Sequence, residues 1–342
     1  MIKVFKHLSI WIIISLVIQF AGLYYINETY LKPENSFIIN KVVAKAPKKQ
    51  QISIDIPSDA ININASYDGR FVSYCENGTL KTVDTSNGQL KEVLPEKGNE
   101  ISFYNWVSDR HRLIIAEKPI TGNGKIQLNS YDASKSIKNT INSDVTWSDS
   151  SSKVSDIQIS PVTNLIYVKV SRNSYKSQIY LNNAMDDVSQ VDTSSVKIGN
   201  IKILPDKAEL VYEDLSSHKI ISTNDKANMN FINVSSPIIL GSDSENNIYV
   251  GNLVNGLITN IYYGNTEVPV TNWKTINVTK QFDPKDLFIT ENGNIYVNNN
   301  LKGQVSSLKS NQITSYNGSL IKMTDKGIVS ENNGKLADIP YK

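Results

Sequence analysis

A three-residue phrase recurs in this chain: Ile166-Tyr167-Val168, Ile248-Tyr249-Val250 and Ile295-Tyr296-Val297 each follow a polar turn that contains Asn. Shorter copies stand at Phe71-Val72, Leu113-Ile114, Leu210-Val211 and Ile328-Val329. The copies begin at intervals of 42, 53, 44, 38, 47 and 33 residues. Their average, close to 43 residues, is the length of one four-stranded propeller blade. The spacing therefore predicts an all-β chain of seven blades; six or eight would follow if the longest or the shortest interval holds a different number of units. Such a ring hosts catalysts, sugar binders and protein scaffolds alike, so the architecture alone names no ligand.

Local chemistry supports four strands per unit. In the first unit, Ile61 to Ala65 leads through Ser66-Tyr67-Asp68-Gly69-Arg70 to Phe71 to Cys75, and then to Thr79 to Val83 and Leu90 to Leu94. Asn77-Gly78 and Asn87-Gly88 supply the positive-φ residues that tight hairpins require. The unit around Ile295 repeats the scheme with Leu287 to Thr290, Asn294 to Asn298, Gln304 to Leu308 and Gln312 to Tyr316. The last unit offers three strands only, Leu320 to Met323, Ile328 to Ser330 and Leu336 to Ile339. An unpaired sheet edge is a liability. The alternating segment Gln51 to Ile56 is the candidate for the missing strand, closing the ring with one amino-terminal and three carboxyl-terminal strands.

Ahead of the ring, Leu8 to Ile26 is a run of 19 residues without charge. As a helix rising about 1.5 Å per residue it nearly spans a hydrocarbon core of about 30 Å. It reads as a transmembrane anchor, with Tyr24 and Tyr25 at the depth of an interfacial aromatic belt. Gln19-Phe20-Ala21-Gly22 offers no small-x-small pair to a signal peptidase, which favours an uncleaved anchor. Lys3 and Lys6 precede the run while Lys32, Lys41 and Lys45 follow it, so charge leaves the orientation balanced. A head of residues 1–7 holds no domain, and we expect it inside, with the linker 27–50 and the propeller 51–342 outside, placing the protein in the cell membrane as a single-pass chain.

The chain has one cysteine, Cys75, so no intramolecular disulfide forms and the core must hold the fold. A net charge of +2 and the absence of a basic patch interleaved with aromatics argue against a nucleic-acid partner. The linker lysines Lys45, Lys48 and Lys49 suit either a solvated spacer or contact with an anionic surface.

Ser66-Tyr67-Asp68-Gly69-Arg70-Phe71-Val72-Ser73-Tyr74 resembles the S-P-D-G-R-x-I-A-F repeat of TolB-like propellers, a repeat of WD40-like (PD40) type also found in the propeller domains of prolyl oligopeptidase relatives. Trp106 to Asp109, Ser160-Pro161 and Leu204 to Asp206 are partial copies, and the Asp-Gly pair is complete only at Asp68-Gly69. The resemblance implies a propeller over most of residues 51–342. In this repeat the Asp caps a tight turn and the Gly takes a left-handed conformation.

Catalytic signals are few. No G-x-S-x-G elbow is present, and the histidines His7, His111 and His218 are scattered singly, the last two in turns. No His or Cys pair has metal-ligand spacing, Gly122 to Lys125 reads as a hairpin tip, and Asp243 to Asn247 lacks the glycine and closing glutamate of a calcium loop. No cofactor is expected. The longer loops expected on one channel face, Glu117 to Lys125, Asn142 to Lys153, Ser171 to Ser177 and Asn272 to Asp286, carry the candidate binding residues Trp147, Tyr175 and Trp273, which would either anchor a partner or cover the core rim.

The sequence thus favours a membrane-anchored, extracytoplasmic, non-catalytic binding or scaffold module for an envelope protein, peptide or glycan. The alternative is a metal-dependent propeller hydrolase of lactonase type, with Ca²⁺ in the channel on side chains such as Asp156 and Asn200.

Overall fold

The computed structural model describes residues 2–31, 54–173, 176–224, 228–231 and 234–341. Contacts divide the chain into two compact units, 1–50 and 51–342. In the first, an α-helix runs Ile2–Ile26 and continues as a wider π-turn over Asn27–Leu31. It begins six residues before the uncharged run because nothing in Lys3 to His7 breaks a helix. Within it, Ile10–Thr29 is long and apolar enough to cross a membrane, which marks it as a candidate span.

The second unit is a seven-bladed propeller. Each blade is an antiparallel meander in chain order: blade 1 spans 61–93, blade 2 99–148, blade 3 152–190, blade 4 198–229, blade 5 237–282, blade 6 287–315 and blade 7 319–340. All seven copies of the repeated phrase fall in the second strand of a blade, from Phe71–Glu76 in blade 1 to Gly327–Asn332 in blade 7. The reason is packing. Side chains alternate across a strand, and the second strand is covered on both faces by neighbouring blades. Ile166 and Val168 enter the seam between blades 2 and 3, whereas Tyr167 enters the seam between blades 3 and 4. The same division recurs in blade 5, with Ile248 and Val250 facing blade 4 and Tyr249 facing blade 6. A strand buried on both faces has no polar side to show, which is why the phrase is continuously apolar.

The described core is accordingly a ring of seven apolar seams, one between each pair of neighbours. The seam between blades 7 and 1 carries the closure. Asp55 bridges antiparallel to Lys335, and the Ile56 amide donates to the Gly334 carbonyl at 2.8 Å. Ile54 and Ile56 are buried there with Val72, Tyr74, Val329 and Leu336. The amino-terminal segment thus lies against the open edge of blade 7; Gln51, Ile52 and Ser53 lie outside the described residues.

The Asp-Gly turn of blade 1 behaves as its chemistry requires. Ser66 Oγ and the Arg70 amide both donate to Asp68 Oδ1, at 3.0 and 3.1 Å, and Gly69 stands at φ +75°. A Cβ on Gly69 would come within 3.0 Å of Val329 Cγ2, so this glycine also permits blade 7 to approach blade 1.

Candidate functional site

In each blade the turn from the first to the second strand lies at one end of the channel, and the turn from the second to the third at the other. A cavity of about 540 Å³ opens at the first of these ends. Every blade contributes to it, with Tyr67, Asn105, Gln158, Lys202, Ser242, Phe288 and Lys322 among the lining residues. The sequence pointed to long loops at the opposite end, and two of those loops are strands. Asn142 to Ser148 belongs to the fourth strand of blade 2, Ile137–Ser148, and Lys274–Phe282 is the fourth strand of blade 5. Both are outer strands with one face in solvent, so their polar composition reads as loop.

Of the three aromatic candidates two are described, Trp147 on blade 2 and Trp273 in the seam between blades 4 and 5. Trp147 is 56% exposed on its strand, opposite Lys125. Trp273 is buried: its Nε1 donates to the Asn265 carbonyl at 3.1 Å, its ring meets Phe231 edge-on at 5.5 Å, and it covers Gly264, where a Cβ would approach the indole to 2.6 Å. Tyr175 lies outside the described residues.

Lys202 and Lys322 are residues the aromatic search did not reach. They sit on the innermost strands of blades 4 and 7, Ile198–Ile203 and Ser319–Met323, where the side chains alternate between seam and channel. Ile201, Ile203 and Met323 fill seams, so the lysines between or beside them face the channel. Lys322 Nζ donates to the Ala65 carbonyl at 2.8 Å, tying blade 7 to blade 1. Burial and the neighbouring Lys202 push its pKa down to about 8, with Asp325 opposing. Burial also pushes Lys202 down, against the pull of Asp156 and Glu291. Lys202 makes no hydrogen bond or ion pair with any described residue; those two carboxylates act on it through space. The signal in sequence was a lysine set among apolar residues, Ile201-Lys202-Ile203 and Ile321-Lys322-Met323.

Carboxylates gather at the mouth. Asp206 and Glu291 are exposed there, Asp109 is exposed but held by the Arg110 guanidinium at 2.7 Å, and Asp325 is half-buried beneath them. The Glu291 amide donates to Asp325 Oδ1 at 2.8 Å. Burial and the adjacent Asp325 carboxylate raise the Glu291 pKa, and burial raises that of Asp325. The cavity is therefore polarised, acidic outside and basic within.

Other polar groups are committed to structure. Asp243 accepts from the Glu245 and Asn247 amides, the Asn247 side chain and Tyr249 Oη, which organises its own loop. Asn200 Nδ2 donates to Glu213 at 3.0 Å, and Glu213 also receives the Ile239 amide at 2.6 Å. Asp156 receives Gln158. Among the described residues no three His, Cys, Asp or Glu side chains come together to hold a metal ion. His111, which the sequence places singly in a turn, is a staple between blades. Its Nε2 stands 3.1 Å from both oxygens of Asp68 in blade 1, its Nδ1 3.2 Å from Ser134 Oγ, and its ring packs on Tyr67 and Phe71. Burial works against ionised Asp68, but the bonds from His111, the Arg70 amide and Ser66 hold its pKa below the ordinary value.

No family model and no curated protein sequence matches the chain. Solved structures do. A chain in the crystal structure of a mitotic checkpoint complex is similar with a TM-score of 0.53 and 11% identity, covering 91% of this chain and 99% of that one. A structure from an analysis of two prolyl endopeptidases is similar with a TM-score of 0.51 and 12% identity over 74% of this chain, which corresponds to 41% of that protein. At these identities the likeness is one of fold.

Proposed function

We propose that the chain is a membrane-tethered binding module whose propeller, held outside the cytoplasm by the amino-terminal helix, takes a ligand of the cell envelope at its channel mouth. The observation that carries this reading is Lys202, a cation facing a cavity lined by all seven blades without a protein partner. A half-buried cation that lines a cavity and bonds to no described protein group is available to an acceptor on a ligand. The Ser66-to-Tyr74 repeat, with its resemblance to TolB-like propellers, and the candidate span Ile10–Thr29 support the same reading.

The test places a photo-crosslinking amino acid at Val162, which is 66% exposed at the mouth, and at Leu301, which is fully exposed on blade 6 away from it. In intact cells the Val162 position should give a discrete adduct that Leu301 does not. Equal labelling at both positions, or none at Val162, contradicts the reading. Protease added to spheroplasts should remove the propeller; full protection would place it on the cytoplasmic side.

A further inference from the structure

The polarity of the cavity restricts what can enter it. Exposed Asp206 and Glu291 repel any ligand that is negative along its length, such as a nucleic acid or a phosphate polymer. Lys202 and Lys322 attract a negative group that reaches past them, and Lys202 has its ammonium free to donate. The complement is a dipole: one anionic tip inward, one cationic group behind it. The volume of about 540 Å³ lies inside the usual range for small-ligand sites, about 300–1,000 Å³. It admits a chain end and excludes a folded domain.

On the reading of this cavity as the binding site, we propose that it takes a peptide carboxyl terminus, carboxylate inward at Lys202 and Lys322, with a Lys or Arg side chain near the end meeting Glu291. The carboxylate supplies the acceptor that Lys202 lacks. Capture of a terminal carboxylate is a recurring mode of peptide recognition, and here the acidic mouth adds selection for a basic residue just before it.

The experiment uses the full chain in detergent micelles. Two fluorescein-labelled hexapeptide pools, randomised over the last three positions, end in a free carboxylate or in an amide. The carboxylate pool should be retained at least about tenfold over the amide pool, roughly 1.4 kcal/mol, with Lys or Arg enriched in the retained sequences. Lys202→Met should erase the carboxylate preference while the melting transition stays at or above that of the parent. Glu291→Gln should keep the carboxylate preference and lose the enrichment in basic residues. Equal retention of both pools, or a Lys202→Met variant that still prefers the carboxylate, overturns the proposal. Displacement by micromolar free lysine would assign a free amino acid and overturn the peptide. If Val162 is crosslinked in cells and the pools are nonetheless held equally, the site stands and the carboxyl-terminus assignment falls; without a Val162 adduct the site itself falls.

Discussion

Two sets of half-buried charged groups are treated oppositely by this molecule. Between blades 1 and 2, Asp68 is met by His111, Ser66 and the Arg70 amide. In the channel, Lys202 is met by nothing within bonding distance and Lys322 by one carbonyl. A satisfied buried network rigidifies a junction, whereas an unsatisfied one costs stability. The Asp68 seam reads as structure and the channel as a site, because in the channel a cation faces the cavity without a bond to a described residue. Substitutions should therefore have opposite signs in the two regions.

The largest effect is expected at the closing seam. Deleting residues 51–56 removes Ile54 and Ile56 from their cluster, about 1.5–3 kcal/mol for each buried side chain, and uncovers the edge of blade 7. Removing residues 1–45 instead should leave the propeller's melting transition unchanged. Equal melting of the two truncations would show that the ring closes elsewhere.

Next comes the contrast between two tryptophans. Trp273→Ala should destabilise by about 3–5 kcal/mol, because it empties a packed seam. Trp147→Ala, on an exposed outer strand, should stay within about 0.5 kcal/mol. Urea unfolding that ranks them the other way breaks the division between seam and surface.

Lys322 gives a pH signature. An unfolded lysine holds its proton to about 10.5, while the folded one releases it near 8. Between those values the unfolded state binds more protons, so stability rises with pH. Relative to Lys322→Met, the parent should gain up to about 3 kcal/mol from pH 8 to 10.5. Lys202 shifts in the same direction, Asp325 opposes the Lys322 shift, and Asp156 and Glu291 oppose that of Lys202. A flat difference across the window would mean that Lys322 is solvated like any surface lysine.

Asp68 should give the smallest effect, with a slope of the same sign but in the acid range, where the charge is one that stabilises the fold. Its folded pKa lies below the ordinary 3.8. Its contribution is complete above that value and is lost as pH falls through the folded one. Asp68→Ala should destabilise by about 1–2 kcal/mol at neutral pH, and the deficit should close in acid. A deficit that persists unchanged in acid would place the effect in turn geometry, not in the charge held by His111.

Much of the fold was written locally. The second strands are apolar on both faces, and Asn77-Gly78 and Asp68-Gly69 mark their turns. Closure could be read because Ile54 and Ile56 alternate ahead of a unit one strand short. The His111 staple could not be read in this way, because its carboxylate comes from another blade, 43 residues away. Lys202 and Lys322 are brought together only when the ring closes, although each carries a local signal in its apolar neighbours. The outer strands of blades 2 and 5 passed for loops because one face of each is wet.

The account turns on the sign of one substitution. Thermal unfolding of the full chain in detergent at neutral pH, parent against Lys202→Met, measures whether that ammonium is held at the expense of stability. The account predicts a higher melting temperature for Lys202→Met together with loss of ligand. A lower melting temperature would show that Lys202 is a structural group like those in the seams, and that the channel carries no electrostatic deficit for a ligand to fill.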